Sequence, residues 1–186
     1  NLRAHWSWSG KRVLVPMCGK TPDLLWLEEL GNEVVGVELS EIAVVAFFEE
    51  NDIEYEEIDG QLRHYRAIDR SVSLYCGDYF EFREGSFDAH YDRGALVAIP
   101  PDLRSHYAKH TTSLLTKDAT QLVITVEYDQ GVCNGPPYSI DSDEATTHWP
   151  RLRRHAWVDD TENAPPKFLE AGLKKMHEVV WLADED

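Results

Sequence analysis

The chain has no run of 18 apolar residues, so it contains no helix long and apolar enough to cross a membrane. Cysteine is scarce: Cys18, Cys76 and Cys133 lie far apart with no C-x-x-C, which points to neither a disulfide framework nor a zinc knuckle and makes a reducing cytoplasm the expected location. Positive charge is also short. Eighteen Lys and Arg face 34 Asp and Glu, and the net charge of −16 repels phosphate backbones, which argues against nucleic-acid partners but not against a cationic ligand. There is no initiator Met and no basic-plus-apolar leader, so the expectation is a fragment or a processed product. What is present is a chain of 186 residues, 42% hydrophobic, enough for a single domain over 1–186 and too short for two comfortable ones.

The chain is organised around Arg12 to Ser40. Val13, Leu14 and Val15 form an apolar run ending at Pro16, which suits a buried strand. Gly19 lies in the following turn, Thr21 is placed to cap a helix and Pro22 fits its first position. Leu24, Leu27 and Leu30 share one face of that helix, Asp23, Glu28 and Glu29 face away, and Gly31 ends it. Val34, Val35, Gly36 and Val37 make a second strand, continuously apolar as expected for a parallel strand covered on both faces. It ends on Glu38, roughly 20 residues past the first turn, where open α/β sheets place a carboxylate on an adenosine ribose. The plainer alternative is a favourable position near the next helix N-terminus. A dinucleotide turn needs G-x-G-x-x-G to close on a pyrophosphate, and PMCGKTPD supplies only Gly19. That favours a ligand without phosphate, such as S-adenosylmethionine.

Further along, Ser40 caps a helix whose apolar face is Ile42, Val45, Ala46 and Phe48, with Asn51 as its stop. Residues 52–70 read as a small hairpin or an irregular excursion over the sheet edge. Val72–Cys76 is the third strand. Asp78 and Tyr79, in its exit loop, sit where an adenine could be bordered, although Asp78 also suits an ordinary turn. Residues 86–92 form the fourth strand, leaving Arg93 either facing the crevice opposite Gly19 or paired with Asp92 or Asp88. A helix from Pro101 carries Leu103, Tyr107, His110 and Leu114; His106 and His110 share a face, but no third ligand or glutamate-bearing zinc motif accompanies them. Leu122–Val126 is the fifth strand, followed by the rigid Gly135-Pro136-Pro137-Tyr138 loop and a short helix from Asp141 that stops by Pro150. Residues 155–159 and 176–182 supply two closing strands, with an acidic loop between them. The fold expected is a doubly wound, mostly parallel seven-stranded α/β sheet with a C-terminal antiparallel hairpin.

The stretches VLVPMCGKTPDLLWL, VVGVELSEIAVVAFF, YDRGALVAIPP and GPPYSI, in this order from about Arg12 to Ile140, resemble the thiopurine S-methyltransferase family. The resemblance implies a class I, Rossmann-like methyltransferase that moves a methyl group from S-adenosylmethionine to sulfur and leaves S-adenosylhomocysteine, with related members acting on selenium or tellurium, small thiols or halides. It places cofactor contacts on Met17, where leucine is more usual, on Glu38 for the ribose, on Asp78 and Tyr79 beside the adenine, and on Arg93; Cys18 and Gly19 are expected to approach the methionine portion because they share the turn with Met17. Arg93, in the DRGAL motif, also lies close to the acceptor in that family and is the expected catalytic group. The family uses an N-terminal segment with a tryptophan near the cofactor, and this chain starts 12 residues before Val13, so Trp6 and Trp8 are not carried over as its equivalents. No resident metal is implied, Cys18 reads as a small packing residue, and the partner is a small-molecule acceptor met by a monomer. Metalloid detoxification falls within the family's range. The alternatives are a halide or small-thiol methyltransferase, a non-catalytic S-adenosylmethionine-binding module and, more distantly, a nicotinamide oxidoreductase.

Overall fold

The computed structural model describes residues 8–184. In chain order they form β1 (Arg12–Pro16), α1 (Asp23–Glu29), β2 (Glu33–Glu38), α2 (Glu41–Glu50), β3 (Tyr55–Ile58), β4 (Arg63–Ala67), β5 (Val72–Cys76) and β6 (Phe87–Arg93). Then follow α3 (Ala95–Ala98), α4 (Arg104–Leu114), β7 (Leu115–Tyr128), α5 (Ser142–His148), β8 (Arg153–Asp159), α6 (Pro166–Glu170) and β9 (Met176–Ala183). They fall into two compact units: one runs to Tyr91 and includes Leu114–Lys117, the other comprises Asp92–Ser113 and the chain from Asp118 onward.

In the first unit the strands lie in the order β3-β4-β5-β2-β1-β6. β1 pairs in parallel with β2 and β6, and β2 with β5, so the centre is the parallel α/β core that the apolar runs specify. Val13, Leu14, Val34 and Val37 are fully buried there, with Leu24 and Leu27 of α1 packed among them. Gly31, at φ 90°, terminates α1 and donates its N–H to Glu28 O at 2.8 Å. The helix itself starts one residue later than its sequence signals suggest, at Asp23, and the Thr21 hydroxyl accepts the Asp23 N–H at 3.3 Å.

Some side chains and elements depart from the expectations. Asp23 does not face away: it is buried, and its carboxylate accepts the Tyr91 hydroxyl at 2.8 Å. In α2 the buried face is Val44, Phe47 and Phe48, while Ile42 is 84% exposed, because the helix is apolar nearly all round and periodicity does not single out one stripe. The stretch 52–70 is a true hairpin. β3 and β4 pair antiparallel, and β4 continues antiparallel onto β5. These two strands raise the count among the described residues to nine, against the seven expected. β4 carries little strand signal in its sequence, because only Tyr65 and Ala67 are buried in an otherwise polar strand. Phe48, Tyr55 and Tyr65 form an aromatic cluster, with centroids 4.7 Å apart for Phe48–Tyr55 and 5.7 Å for Tyr55–Tyr65.

The second unit holds the strands β7-β9-β8, both pairings antiparallel. β7 is far longer than the five-residue strand expected, because Leu115–Gln121 extends it on its N-terminal side. The acidic loop before β9 contains the short helix α6, anchored by Phe168, which packs with Tyr128, Leu173 and Met176.

Candidate cofactor site

The centre of the first unit ends in a turn with an unusual backbone. Met17 (φ 47°) and Gly19 (φ 55°) both adopt the left-handed conformation around Cys18. Only Gly19 escapes the steric cost, and a Cβ built on it meets nothing within 4 Å, so the space in front of the turn is open. Cys18 points the other way. It is buried, and a Cβ added at Gly36 would come within 2.7 Å of its sulfur and 2.4 Å of Leu74 Cδ2. Burial, reinforced by the nearby Glu38 charge, pushes the Cys18 thiol well up, which makes it a poor nucleophile. Cys18 is a packing residue whose place is made by the missing side chain of Gly36.

Glu38 closes the site from β2. Its Oε2 accepts the Gly19 N–H at 2.8 Å and its Oε1 accepts the Ser40 N–H at 2.8 Å, so the carboxylate joins the β1 turn to the start of α2. Each oxygen keeps a lone pair, and the residue is only partly buried, so the carboxylate remains able to accept from a vicinal diol. Immediately beside it, Leu39 is 73% exposed and Ile42 84% exposed. Two large apolar side chains bare to solvent at the carboxyl end of a parallel sheet suit the face of a planar ring; in the sequence they stand within ELSEI, whose pattern alone suggests a helix cap and a core residue.

The β5 exit loop lies on the same edge, since the Gly77 N–H donates to Glu38 O at 2.9 Å. Asp78 is exposed and its Oδ1 accepts the Phe80 N–H at 2.9 Å, capping one 3₁₀ turn over Tyr79–Glu81. Tyr79 is buried, so it contributes to the wall of this loop rather than to its surface. Met17, Gly19, Glu38 and Asp78 are therefore gathered at one end of the first unit's sheet, and Cys18 and Tyr79 form the layer beneath. Trp8 is buried, and Trp6 lies outside the described residues. The residues gathered here offer a carboxylate with spare acceptor capacity, a glycine turn without a phosphate cradle and exposed apolar side chains, a set chemically compatible with S-adenosylmethionine.

Arg93 belongs to the second unit and is exposed. Its neighbour Asp92, which the sequence offers only as a candidate partner for Arg93, is the organising residue of this segment. Asp92 is fully buried, and its carboxylate accepts the Ala95 N–H at 3.0 Å, the Leu96 N–H at 3.2 Å and the Tyr107 hydroxyl at 2.8 Å. It caps α3 from two residues before Gly94, whose φ of 122° lets the chain turn. Burial outweighs these hydrogen bonds and raises the Asp92 carboxyl to about 6. The Gly135–Tyr138 loop is held within the same unit: the Tyr138 N–H donates to Val97 O at 2.7 Å and the Tyr128 hydroxyl to Pro137 O at 2.7 Å.

Comparison with known proteins identifies the family. The family described as thiopurine S-methyltransferase matches residues 1–186. A thiopurine S-methyltransferase of Pseudomonas paraeruginosa is 40% identical over 181 residues, 94% of this chain and 82% of that protein. One from Bordetella petrii is 39% identical over 178 residues, 92% and 80% of the two chains. Among solved structures, an arsenic(III) S-adenosylmethionine methyltransferase from Chlamydomonas reinhardtii superposes with a TM-score of 0.68 at 12% identity, covering 96% of this chain and 65% of that one. A Burkholderia thailandensis N-methyltransferase with bound S-adenosylhomocysteine gives 0.61 at 18% identity, covering 95% and 72%.

Proposed function

Because this chain belongs to the thiopurine S-methyltransferase family, and is thereby an S-adenosylmethionine-dependent methyltransferase, we propose that it methylates a soft sulfur acceptor, a thiopurine or a comparable selenium or tellurium nucleophile. The observation that carries the reading is the Glu38 carboxylate fixed between the Gly19 and Ser40 N–H groups, beside an open glycine turn and exposed Leu39. The cofactor supplies an electrophilic methyl group on a sulfonium. Glu38 would accept the ribose hydroxyls, the Met17-Cys18-Gly19 turn would hold the methionine portion, and Leu39, Asp78 and Tyr79 would hold the base.

In-line displacement on a sulfonium by an acceptor that is already a thiolate needs alignment and exclusion of water more than proton transfer. Arg93 supplies a fixed positive charge that orients an electron-rich acceptor. The test is methyl transfer to a panel of 6-mercaptopurine, small thiols, selenite and iodide. Turnover concentrated on the thiopurine and selenium members supports the reading; turnover confined to iodide or small aliphatic thiols replaces it with the halide or small-thiol alternative. Arg93→Ala is expected to lower kcat about tenfold or more at saturating cofactor, in line with the loss of one electrostatic contact, and an unchanged rate returns Arg93 to the surface.

A further inference from the structure

The second unit contains a cleft of about 390 Å³ that the proposed reaction does not use, of a size within the rough range of small-molecule pockets. Its floor is aromatic. Trp157 of β8 stacks on His177 of β9 with ring centroids 3.5 Å apart and planes 13° from parallel. The indole is fixed a second time, because its Nε1–H donates to Glu127 Oε2 at 3.1 Å. Trp157 is nonetheless 50% exposed, so an indole held by two contacts keeps half of its surface open to solvent. Tyr128, Val132 and Leu173 give the cleft apolar sides, and Lys174 and Lys175 stand at its rim.

The charges at the cleft are engaged unequally. Glu127 accepts the indole N–H, Asp129 accepts the Gly131 N–H at 3.0 Å, and nearby Asp159 accepts the Thr161 N–H at 3.1 Å and its hydroxyl at 2.6 Å. Neither lysine forms an ion pair with a described residue, although Lys175 lies near enough to help hold the Asp159 carboxyl below its usual range, behind the Thr161 hydrogen bonds. Two adjacent ammonium groups with no direct ion pair to a described residue, beside a fixed indole and across from carboxylates already engaged in hydrogen bonds, stand out on a chain of net charge −16. We propose that this cleft is a binding site for a planar aromatic anion, stacked on Trp157 with its negative group toward Lys174 and Lys175. Stacking supplies affinity without sequence-like specificity, and the lysines select the sign of charge.

The test is calorimetric titration of the full chain with 2-naphthoate, 2-naphthylmethanol and 2-naphthylmethylammonium, with thermal unfolding of each variant as a check on folding. 2-Naphthoate is expected to bind saturably and more tightly than the other two. Trp157→Ala should weaken it about tenfold, the effect of losing one aromatic stack, while Trp157→Phe, which keeps a ring there, should recover part of the loss. The Lys174→Gln/Lys175→Gln pair should erase the preference for the anion and leave 2-naphthylmethanol unchanged. Absence of saturable 2-naphthoate binding, or an affinity indifferent to Trp157→Ala, overturns the site. Preference for the ammonium probe overturns its charge selectivity.

Discussion

Two buried titratable groups bind protons in opposite directions on folding, and each leaves a signature in the pH dependence of stability. Asp92 has its carboxyl raised from 3.8 to about 6 by burial, so between those values the folded protein holds a proton that the unfolded chain releases. Its contribution is full below pH 3.8 and is lost as pH rises through 6. His90 is lowered from 6.5 to about 3 by burial, so the unfolded chain takes up its proton first; its contribution is full above pH 6.5 and is lost as pH falls through 3. Urea unfolding from pH 4 to 7 is expected to separate them. The difference between wild type and Asp92→Asn should decline with rising pH by up to about 3 kcal/mol, two pKa units' worth, and the difference between wild type and His90→Gln should rise. Asp92→Ala is expected to cost about 3 kcal/mol or more in the same assay, because it leaves buried N–H groups of α3 and the Tyr107 hydroxyl without their acceptor; a cost below about 1 kcal/mol would show that other groups satisfy them.

Among the elements, the glycine of β2 and the β3-β4 hairpin show where packing outranks local pattern. Gly36→Ala places a Cβ against Leu74 and Cys18 in the middle of the parallel core, and overpacking of this kind should lower stability by about 1–3 kcal/mol, read as a shift in the urea midpoint. Pairing it with Cys18→Ala, which removes the sulfur at 2.7 Å, should return part of that loss. Phe48→Ala should cost about 3–5 kcal/mol and loosen hydrogen-exchange protection in Tyr55–Ala67 in particular, since Phe48 joins α2 to Tyr55 and Tyr65. The parallel core was legible in the sequence because strands buried on both faces read as unbroken valine runs and α1 carries a glycine stop. The hairpin was not, since its charged residues mask an inward alternation confined to Tyr65 and Ala67. Spacing along the chain brings out Glu38 and Gly19 as candidates, and the structure joins them by a hydrogen bond. The roles of Asp92, Leu39 and the Tyr91–Asp23 pair do not show in it, because each is defined by what a distant segment leaves buried or bare.

For the whole molecule, a net charge of −16 makes self-repulsion a general destabilising term, screened over about 8 Å at physiological ionic strength. Thermal stability should therefore rise between low salt and about 0.5 M sodium chloride, and a flat or falling Tm would mean that local ion pairs such as Arg104–Glu144 outweigh the repulsion. The same excess of acid sits easily with a cationic sulfonium ligand and poorly with nucleic acid. The account as a whole depends on the turn and carboxylate at the end of β1 and β2 being a cofactor site, and calorimetric titration with S-adenosylhomocysteine tests this most directly. Wild type is expected to bind in the micromolar range, and Glu38→Gln to bind at least about tenfold more weakly, the loss of a charge-assisted contact to the ribose, with unfolding shifted only slightly. Binding unaffected by Glu38→Gln, or absent from a folded wild-type chain, would contradict it.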